Sequence, residues 1–169
     1  MPTEETTTAT IRPATEDDVQ LVFDLICELA TYEKLRDEVV GTPEMLRASF
    51  FDRGDAEALI VEDEAGEAVG YAIFYTTFST FECRSGIWLE DVYVRPEHRR
   101  GGIGLRIMER LAALALERGH RRLEWVALDW NEPALNFYAK LGAARLDNWV
   151  IHRLEVPGMQ TLAAGESAA

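Results

Sequence analysis

Hydrophobic and polar positions switch between helical and strand-like periods along the chain, and their order predicts an α/β fold. Apolar residues recur at helical spacing within residues 16–31, 43–50, 103–117 and 134–141. Runs rich in β-branched and aromatic residues predict strands at 9–12, 58–61, 68–76, 87–94, 123–128 and 149–154. The order β-α-α-β-β-β-α-β-α-β implies a mixed, twisted sheet with helices on both faces, because an antiparallel meander leads through a helical crossover into a parallel strand.

Turn and capping residues set the ends of these elements. Thr15, followed by three acidic residues, is a capping-box-like helix start, and Thr42 with Pro43 starts a second helix. Gly119 and Gly142 each follow a helical pattern and are expected to end it. Residues 64–67 predict a hairpin turn, and residues 77–85 are expected to form a loop.

The stretch LEDVYVRPEHRRGGIG, residues 89–104, joins the central strand to the longest helix through a basic, glycine-rich turn. Glycines let a backbone approach phosphate closely, and a helix N-terminus offers free N–H groups and partial positive charge to an anion. The turn contains neither Gly-Lys-Ser/Thr, which a Walker A loop needs, nor G-x-G-x-x-G, the dinucleotide fingerprint. The spacing that is present is Arg99-x-x-Gly102-x-Gly104.

This spacing resembles the R/Q-x-x-G-x-G/A signature of the GNAT superfamily of N-acetyltransferases. A second segment, residues 131–143, is similar to the family's C-terminal motif N-x-x-A-x-x-F-Y-x-x-x-G-A. The predicted order of elements from about residue 10 to 155 is also that of the GNAT fold. With Leu-Glu-Asp at 89–91 and Ala-Thr-Tyr-Glu at 30–33, the chain closely resembles the branch of spermidine/spermine N1-acetyltransferase and thialysine N-acetyltransferase.

The resemblance implies a binding site for acetyl-CoA. The end of the central strand would pair with the pantetheine arm through its backbone, and the glycine-rich turn would bind the pyrophosphate. The implied cofactor-binding residues are Val92, Tyr93, Val94, Arg99, Arg100, Gly101, Gly102, Ile103, Gly104, Leu105, Asn131, Pro133 and Tyr138.

Two residues match the family's catalytic groups. Tyr138 would protonate the departing thiolate, and Glu90 would take the proton of the amine, directly or through water. The amine needs such a base because an alkyl ammonium has a pKa of ~10 and no lone pair. Neighbouring side chains of a regular strand point to opposite faces, so only one of Glu90 and Asp91 is expected to enter the cleft unless the strand is bulged.

The resemblance also implies a set of amine-binding residues. The chain departs from the polyamine enzyme at two places, and both bear on the identity of the substrate. Ser79 and Thr80 stand where that enzyme has an acid, which looks more like the thialysine enzyme. Residues 144–149 are a shorter segment, in which Asp147 is only a loose match for an acidic substrate contact. The implied substrate is therefore a small diamine or a lysine-like amino acid. The implied residues are Tyr32, Glu33, Ser79, Thr80, Glu90, Asp91, Glu124, Trp125, Val126 and Asp147.

Two other functions stay open at this point. One is an N-terminal or lysine acetyltransferase of proteins on the same fold. The other is a regulatory module that binds CoA without turnover, which the presence of both Glu90 and Tyr138 argues against.

Length and composition limit the domain organisation and the kinds of ligand that the protein is expected to bind. A length of 169 residues indicates one domain, expected at 9–157, between tails at 1–8 and 158–169. A formal charge of −13 argues against nucleic acid as a partner and favours cationic small molecules. No apolar run reaches the ~20 residues that span a bilayer. The two cysteines and three histidines have no metal-site spacing, so no metal is expected. A cytoplasmic protein is expected, and the branch implies a homodimer.

Overall fold

The computed structural model describes residues 9–99 and 101–165. The expected N-terminal tail at 1–8, Arg100 in the glycine-rich turn and the last four residues lie outside the described residues. The chain forms two compact units, Met1–Val126 and Ala127–Ala169. The single domain expected at 9–157 stays a prediction.

In the described part of Met1–Val126, five strands form one sheet in the order of the sequence. Strands β1 to β4 pair as antiparallel neighbours, and β5 runs parallel to β4, so the predicted mixed sheet is confirmed. The strands are β1 (Thr10–Pro13), β2 (Glu57–Glu62), β3 (Ala68–Ser79), β4 (Arg84–Val94) and β5 (Leu123–Trp125).

Helices fill the connections of this unit. They are α1 (Val19–Tyr32), α2 (Pro43–Arg47), which continues as a π-helical turn over Ala48–Arg53, and α3 (Ile103–Glu117). The predicted helix starts are confirmed: the Thr15 hydroxyl donates to Asp18 at 2.8 Å, and the Thr42 hydroxyl accepts from the Met45 N–H at 3.3 Å. No described helix has both the length and the apolar character needed to cross a bilayer.

Helix α1 packs against one face of the sheet and forms a hydrophobic core with it. The buried face of α1, including Leu25, packs in one cluster with Tyr71, Ile73 and Tyr93 from β3 and β4. The next residue along β3, Phe74, points to the other face because side chains alternate along a strand. There the guanidinium of Arg118, at the end of α3, lies 5.9 Å from the Phe74 ring. Helices therefore cover both faces, as the sequence predicts.

Two strand boundaries differ from the prediction. The loop expected at 77–85 is shorter, because β3 continues to Ser79 and β4 begins at Arg84, with Ser79 opposite Arg84. Threonine and phenylalanine at 77 and 78 suit a strand and extend the hairpin ladder. Strand β5 is also shorter than expected and ends at Trp125 rather than at residue 128.

The unit Ala127–Ala169 contains helices α4 (Glu132–Lys140) and α5 (Val156–Ala163). The strand predicted at 149–154 is wrong, since none of the described residues of this unit lies in a strand. The segment has high β-propensity, but Trp149, Val150 and Ile151 are exposed, and a strand needs a pairing partner as well as suitable residues. The tail expected from residue 158 begins inside α5.

Candidate active site

A β-bulge in β4 places two acids on the same face of the sheet. Asp91 faces Ile73 on β3 and Leu89 faces Phe74, so Glu90 is an extra residue between these pairs. Trp88 is opposite Tyr75, which shares the face of Ile73 because the two are two residues apart. The Trp88 indole N–H donates to Glu90 at 2.9 Å, which brings Glu90 to that face too. The bulge therefore removes the alternation that would have separated Glu90 from Asp91.

Asp91 lies in a pocket of like charge. Burial, followed by the charges of Glu90 and Glu33, raises the pKa of the Asp91 carboxyl to about 6. A hydrogen bond from the Tyr71 hydroxyl, 3.4 Å long, works in the opposite direction and lowers that pKa. A half-buried acid with such a pKa can exchange a proton near neutral pH.

Glu33 stands at the C-terminal end of α1, where its N–H donates to the Leu29 carbonyl at 2.9 Å. Burial raises the pKa of the Glu33 carboxyl. The chain turns away at the next residue, Lys34, which has a φ of 63°. The helix end and the β4 bulge thus bring Glu33, Glu90 and Asp91 into one acidic cluster, which suits a cationic ligand.

Arg99 ties the glycine-rich turn to this end of α1. Its guanidinium lies 4.5 Å from the Tyr32 ring and 5.6 Å from the Tyr93 ring, in the range of cation–π contacts. Its Nε donates to the Val94 carbonyl at 2.8 Å. The side chain that opens the signature is therefore held against the sheet, where it also contacts the Tyr32 ring.

The edge of β4 is open where a cofactor is expected to pair. Val92, Tyr93 and Val94 pair with β3 on one side. On the other side, the pairing with β5 covers only 87–89 against 123–125, and no described strand continues it. Backbone groups on an open strand edge can pair with an extended ligand.

The glycine-rich turn leads directly into α3. Gly102 has a φ of 77°, which only glycine adopts readily, and a Cβ there would meet no atom within 4 Å. Glycine is thus needed at 102 for its backbone conformation rather than for space. The described residues Gly101 to Leu105 form the start of α3. The first N–H groups of a helix have no partner within the helix, so an anion is favoured there.

The structure separates the hairpin residues from the acidic cluster. Ser79 is six residues beyond Ile73 on β3, which is about 20 Å along a strand from the position opposite Asp91. The buried Ser79 hydroxyl accepts the Glu82 N–H at 3.3 Å and so caps the hairpin turn, while Thr80 is exposed.

Strand β5 contributes its own polar pair. Arg122 lies 2.6 Å from the Glu124 carboxylate, so this acid is already paired with a cation. Trp125 is half-buried at the end of β5, and Val126 follows the strand and is exposed.

The remaining predicted residues lie in the unit Ala127–Ala169. Asn131 caps α4 by accepting the Ala134 N–H at 3.4 Å, and Pro133 occupies the first turn of that helix. Tyr138 is half-buried on α4, with its ring 5.4 Å from that of Phe137. Asp147 pairs with Arg145, two residues away, on the exposed surface.

The sequence did not indicate Tyr71 as a site residue. Its period-2 position with Ile73 and Tyr75 predicts only that the three share a face. Its reach to Asp91 depends on the register of the β3–β4 hairpin, which the longer predicted loop obscured. Among the described residues, no group of three or more His, Cys, Asp or Glu side chains is arranged to hold a metal ion.

Comparison with known proteins adds three findings. Residues 24–143 match the model of the acetyltransferase (GNAT) family. Thialysine N-epsilon-acetyltransferase of Bos taurus is 40% identical over 164 residues, covering 90% of this chain and 96% of the relative, and that of Caenorhabditis elegans is 33% identical over 144 residues, covering 83% and 88%. An integron cassette protein of V. cholerae shares the fold with a TM-score of 0.74 at 23% identity, covering 92% of this chain and 98% of the other.

Proposed function

Because the chain belongs to the acetyltransferase (GNAT) family and is therefore an acetyltransferase, we propose that it moves the acetyl group of acetyl-CoA to a primary amine of a small diamine or a lysine-like amino acid. The observation that carries the proposal is the cluster of Glu33, Glu90 and Asp91 on one face of β4. Three acids around one position favour a cationic amine, and the names of the thialysine-acetylating relatives support the same substrate class.

The open edge of β4 supports the binding of acetyl-CoA. The backbone of Val92, Tyr93 and Val94 would pair with the pantetheine arm. The described residues 101–105 at the start of α3, with Arg100, would bind the pyrophosphate through N–H groups and charge. Asn131 and Pro133 at the start of α4 would supply further cofactor contacts.

The reaction is proposed as a direct transfer within a ternary complex. Glu90 takes a proton from the ammonium, directly or through water, which frees the nitrogen lone pair. The nitrogen attacks the acetyl carbonyl carbon, a C–N bond forms and the C–S bond breaks. Tyr138 donates its phenolic proton to the departing sulfur of CoA.

A panel of amines tests this function. Putrescine, spermidine, spermine, lysine and thialysine should be assayed with acetyl-CoA, and the release of free CoA measured against a reaction without amine. We expect turnover with the short diamine and with the lysine-like compounds. Binding of CoA without turnover on any amine would favour a regulatory module, and turnover only on peptides would favour a protein acetyltransferase.

We also propose that the protein is a homodimer and acts in the cytoplasm. Large apolar side chains are exposed along 146–162, and a second copy is a partner that would cover them. The free cysteines Cys27 and Cys83 suit a reducing compartment. Sedimentation equilibrium at micromolar concentration should give twice the chain mass, and a monomer would reject the dimer.

A further inference from the structure

Tyr71 is a buried phenol whose hydroxyl reaches the acidic cluster. Its side chain is fully enclosed, and its ring packs in the core beneath α1. A buried tyrosine hydroxyl normally requires a hydrogen-bond partner, and here the hydroxyl donates to the Asp91 carboxylate at 3.4 Å. The ring is held on all sides, so the hydroxyl is a fixed donor that restricts where the Asp91 carboxylate can lie.

The charged and titratable groups around Asp91 come from three elements. Strand β4 contributes Glu90, the end of α1 contributes Glu33, and β3 contributes Tyr71. The two described arginines that follow β4 before the glycine-rich turn interact with other groups. Arg95 donates to Glu28 at 2.7 and 3.0 Å, and Arg99 lies over the rings of Tyr32 and Tyr93.

From this arrangement we infer that Tyr71 is a positioning residue for amine acetylation: its hydroxyl orients the Asp91 carboxylate beside Glu90, so that the two carboxylates together hold the proton that the amine gives up. The inference rests on the proposed function and adds a residue that touches neither substrate nor cofactor. Glu90 stays the group that meets the ammonium, and Asp91 supports it.

The ammonium N–H bond breaks as a carboxyl O–H bond forms on Glu90, and the neighbouring Asp91 shares that proton because two adjacent carboxylates are not both ionised without cost. The nitrogen lone pair forms the C–N bond, and the C–S electrons leave with the sulfur of CoA. The acid pair returns its proton to solvent after the product departs.

Tyr71 and Glu33 act on Asp91 with opposite signs. The Tyr71 hydroxyl stabilises the ionised carboxylate, so its removal should raise the pKa of Asp91. The negative charge of Glu33 destabilises the ionised form, so Glu33→Gln should lower the pKa of Asp91. If the two substitutions only weakened the fold, they would not be expected to shift the pKa of Asp91 in opposite directions.

The pH dependence of kcat/KM tests the inference. Tyr71→Phe keeps the buried ring and removes only the hydroxyl, and it should move the acidic limb of the profile upward by roughly half to one pH unit. Glu33→Gln should move the same limb downward. In an Asp91→Asn background, Tyr71→Phe should cause no further shift.

Thr76→Val is the matched control, because it removes a hydroxyl from the opposite face of β3, away from Asp91 and Glu90, and should leave the acidic limb in place. A Tyr71→Phe profile that superimposes on the wild type, or a shift that persists without Asp91, overturns the inference. If Tyr71→Phe does not fold, Asp91→Asn decides: an acidic limb that stays unchanged there also overturns it. Absence of turnover by the wild type on every amine would instead mean that the proposed function itself has failed.

Discussion

Glu90 and Asp91 are neighbours in sequence but lie in different environments. Glu90 is exposed and accepts a hydrogen bond from the Trp88 indole, whereas Asp91 is half-buried and close to two other acids. Paired acids in unlike surroundings are a common way to divide acid–base work within a site. The sequence predicted the two residues and one possible base, but it could not predict that a bulge brings both to one face.

The first prediction at the residue scale concerns Tyr138. Tyr138→Phe should keep the affinity for acetyl-CoA and lower kcat by about 10²–10⁴-fold, because general acid–base groups typically contribute that much. Calorimetry with CoA and steady-state kinetics on the same preparation measure the two quantities. A normal kcat, with chemistry shown to be rate-limiting, would reject Tyr138 as the acid.

Asp91 leads to a prediction about stability. Its pKa is raised from 3.8 to about 6 in the folded chain, so the folded state is penalised by the ionised carboxylate above pH 6. Asp91→Asn should therefore stabilise the protein at pH 8, by at most about 3 kcal/mol from the linkage relation. The gain should shrink as the pH falls from 6 to 4 and vanish below that.

Urea unfolding of wild type and Asp91→Asn at pH 8, 6 and 4 measures this difference. The same variant should turn over more slowly but still measurably, since it removes one acid of the pair and leaves Glu90 in place. A variant that is less stable than the wild type at pH 8 would mean that Asp91 is satisfied in the fold and not held there for function.

At the scale of elements, the sequence predicted features that depend on nearby residues, such as helix starts. It did not predict features that depend on pairing between distant segments. The Thr15 and Thr42 helix starts follow from side chains within three residues of each other. The hairpin register, the bulge at Glu90 and the short β5 depend on pairing between segments that are distant in sequence. The strand expected at 149–154 failed for the same reason, because β-propensity does not specify a partner.

The glycine-rich turn gives the prediction at this scale. Gly102→Val should abolish CoA binding, because a β-branched residue resists the φ of 77° that starts α3 and adds bulk where phosphate would approach. Gly66→Val is the matched control: its φ is 80°, and a Cβ there also meets no atom within 4 Å.

Both substitutions introduce the same kind of backbone strain, of order 1–3 kcal/mol. Only Gly102→Val should lose CoA binding in calorimetry, while both variants should lose thermal stability. Normal affinity in folded Gly102→Val would show that the turn does not bind the cofactor. Equal loss of affinity in both variants would show that strain, and not the site, is responsible.

The whole molecule carries a formal charge of −13, which bears on how a cationic substrate arrives. An acidic field attracts cations and raises their encounter rate, and salt screens it over about 10 Å at 0.1 M. A diamine, with two charges, should lose more kcat/KM than a monoamine as the ionic strength rises. The effect of the overall field can be separated from that of the acids near the substrate. Removing one acid far from the site changes the net charge by the same amount as removing one acid inside it.

Glu33 and Glu64 provide this comparison for the preference between a diamine and a monoamine. If Glu33 holds the distal ammonium of a diamine, 1,6-diaminohexane should exceed hexylamine in kcat/KM by roughly 5- to 150-fold, on the scale of ~1–3 kcal/mol for hydrogen bonds to charged groups. Glu33→Gln should erase most of that ratio and leave CoA binding unchanged. Glu64→Gln, in the exposed β2–β3 turn, removes the same charge and should keep the ratio. Similar efficiency for both amines at low salt would show that no distal anion site exists, and equal effects of the two substitutions would assign the preference to the overall field.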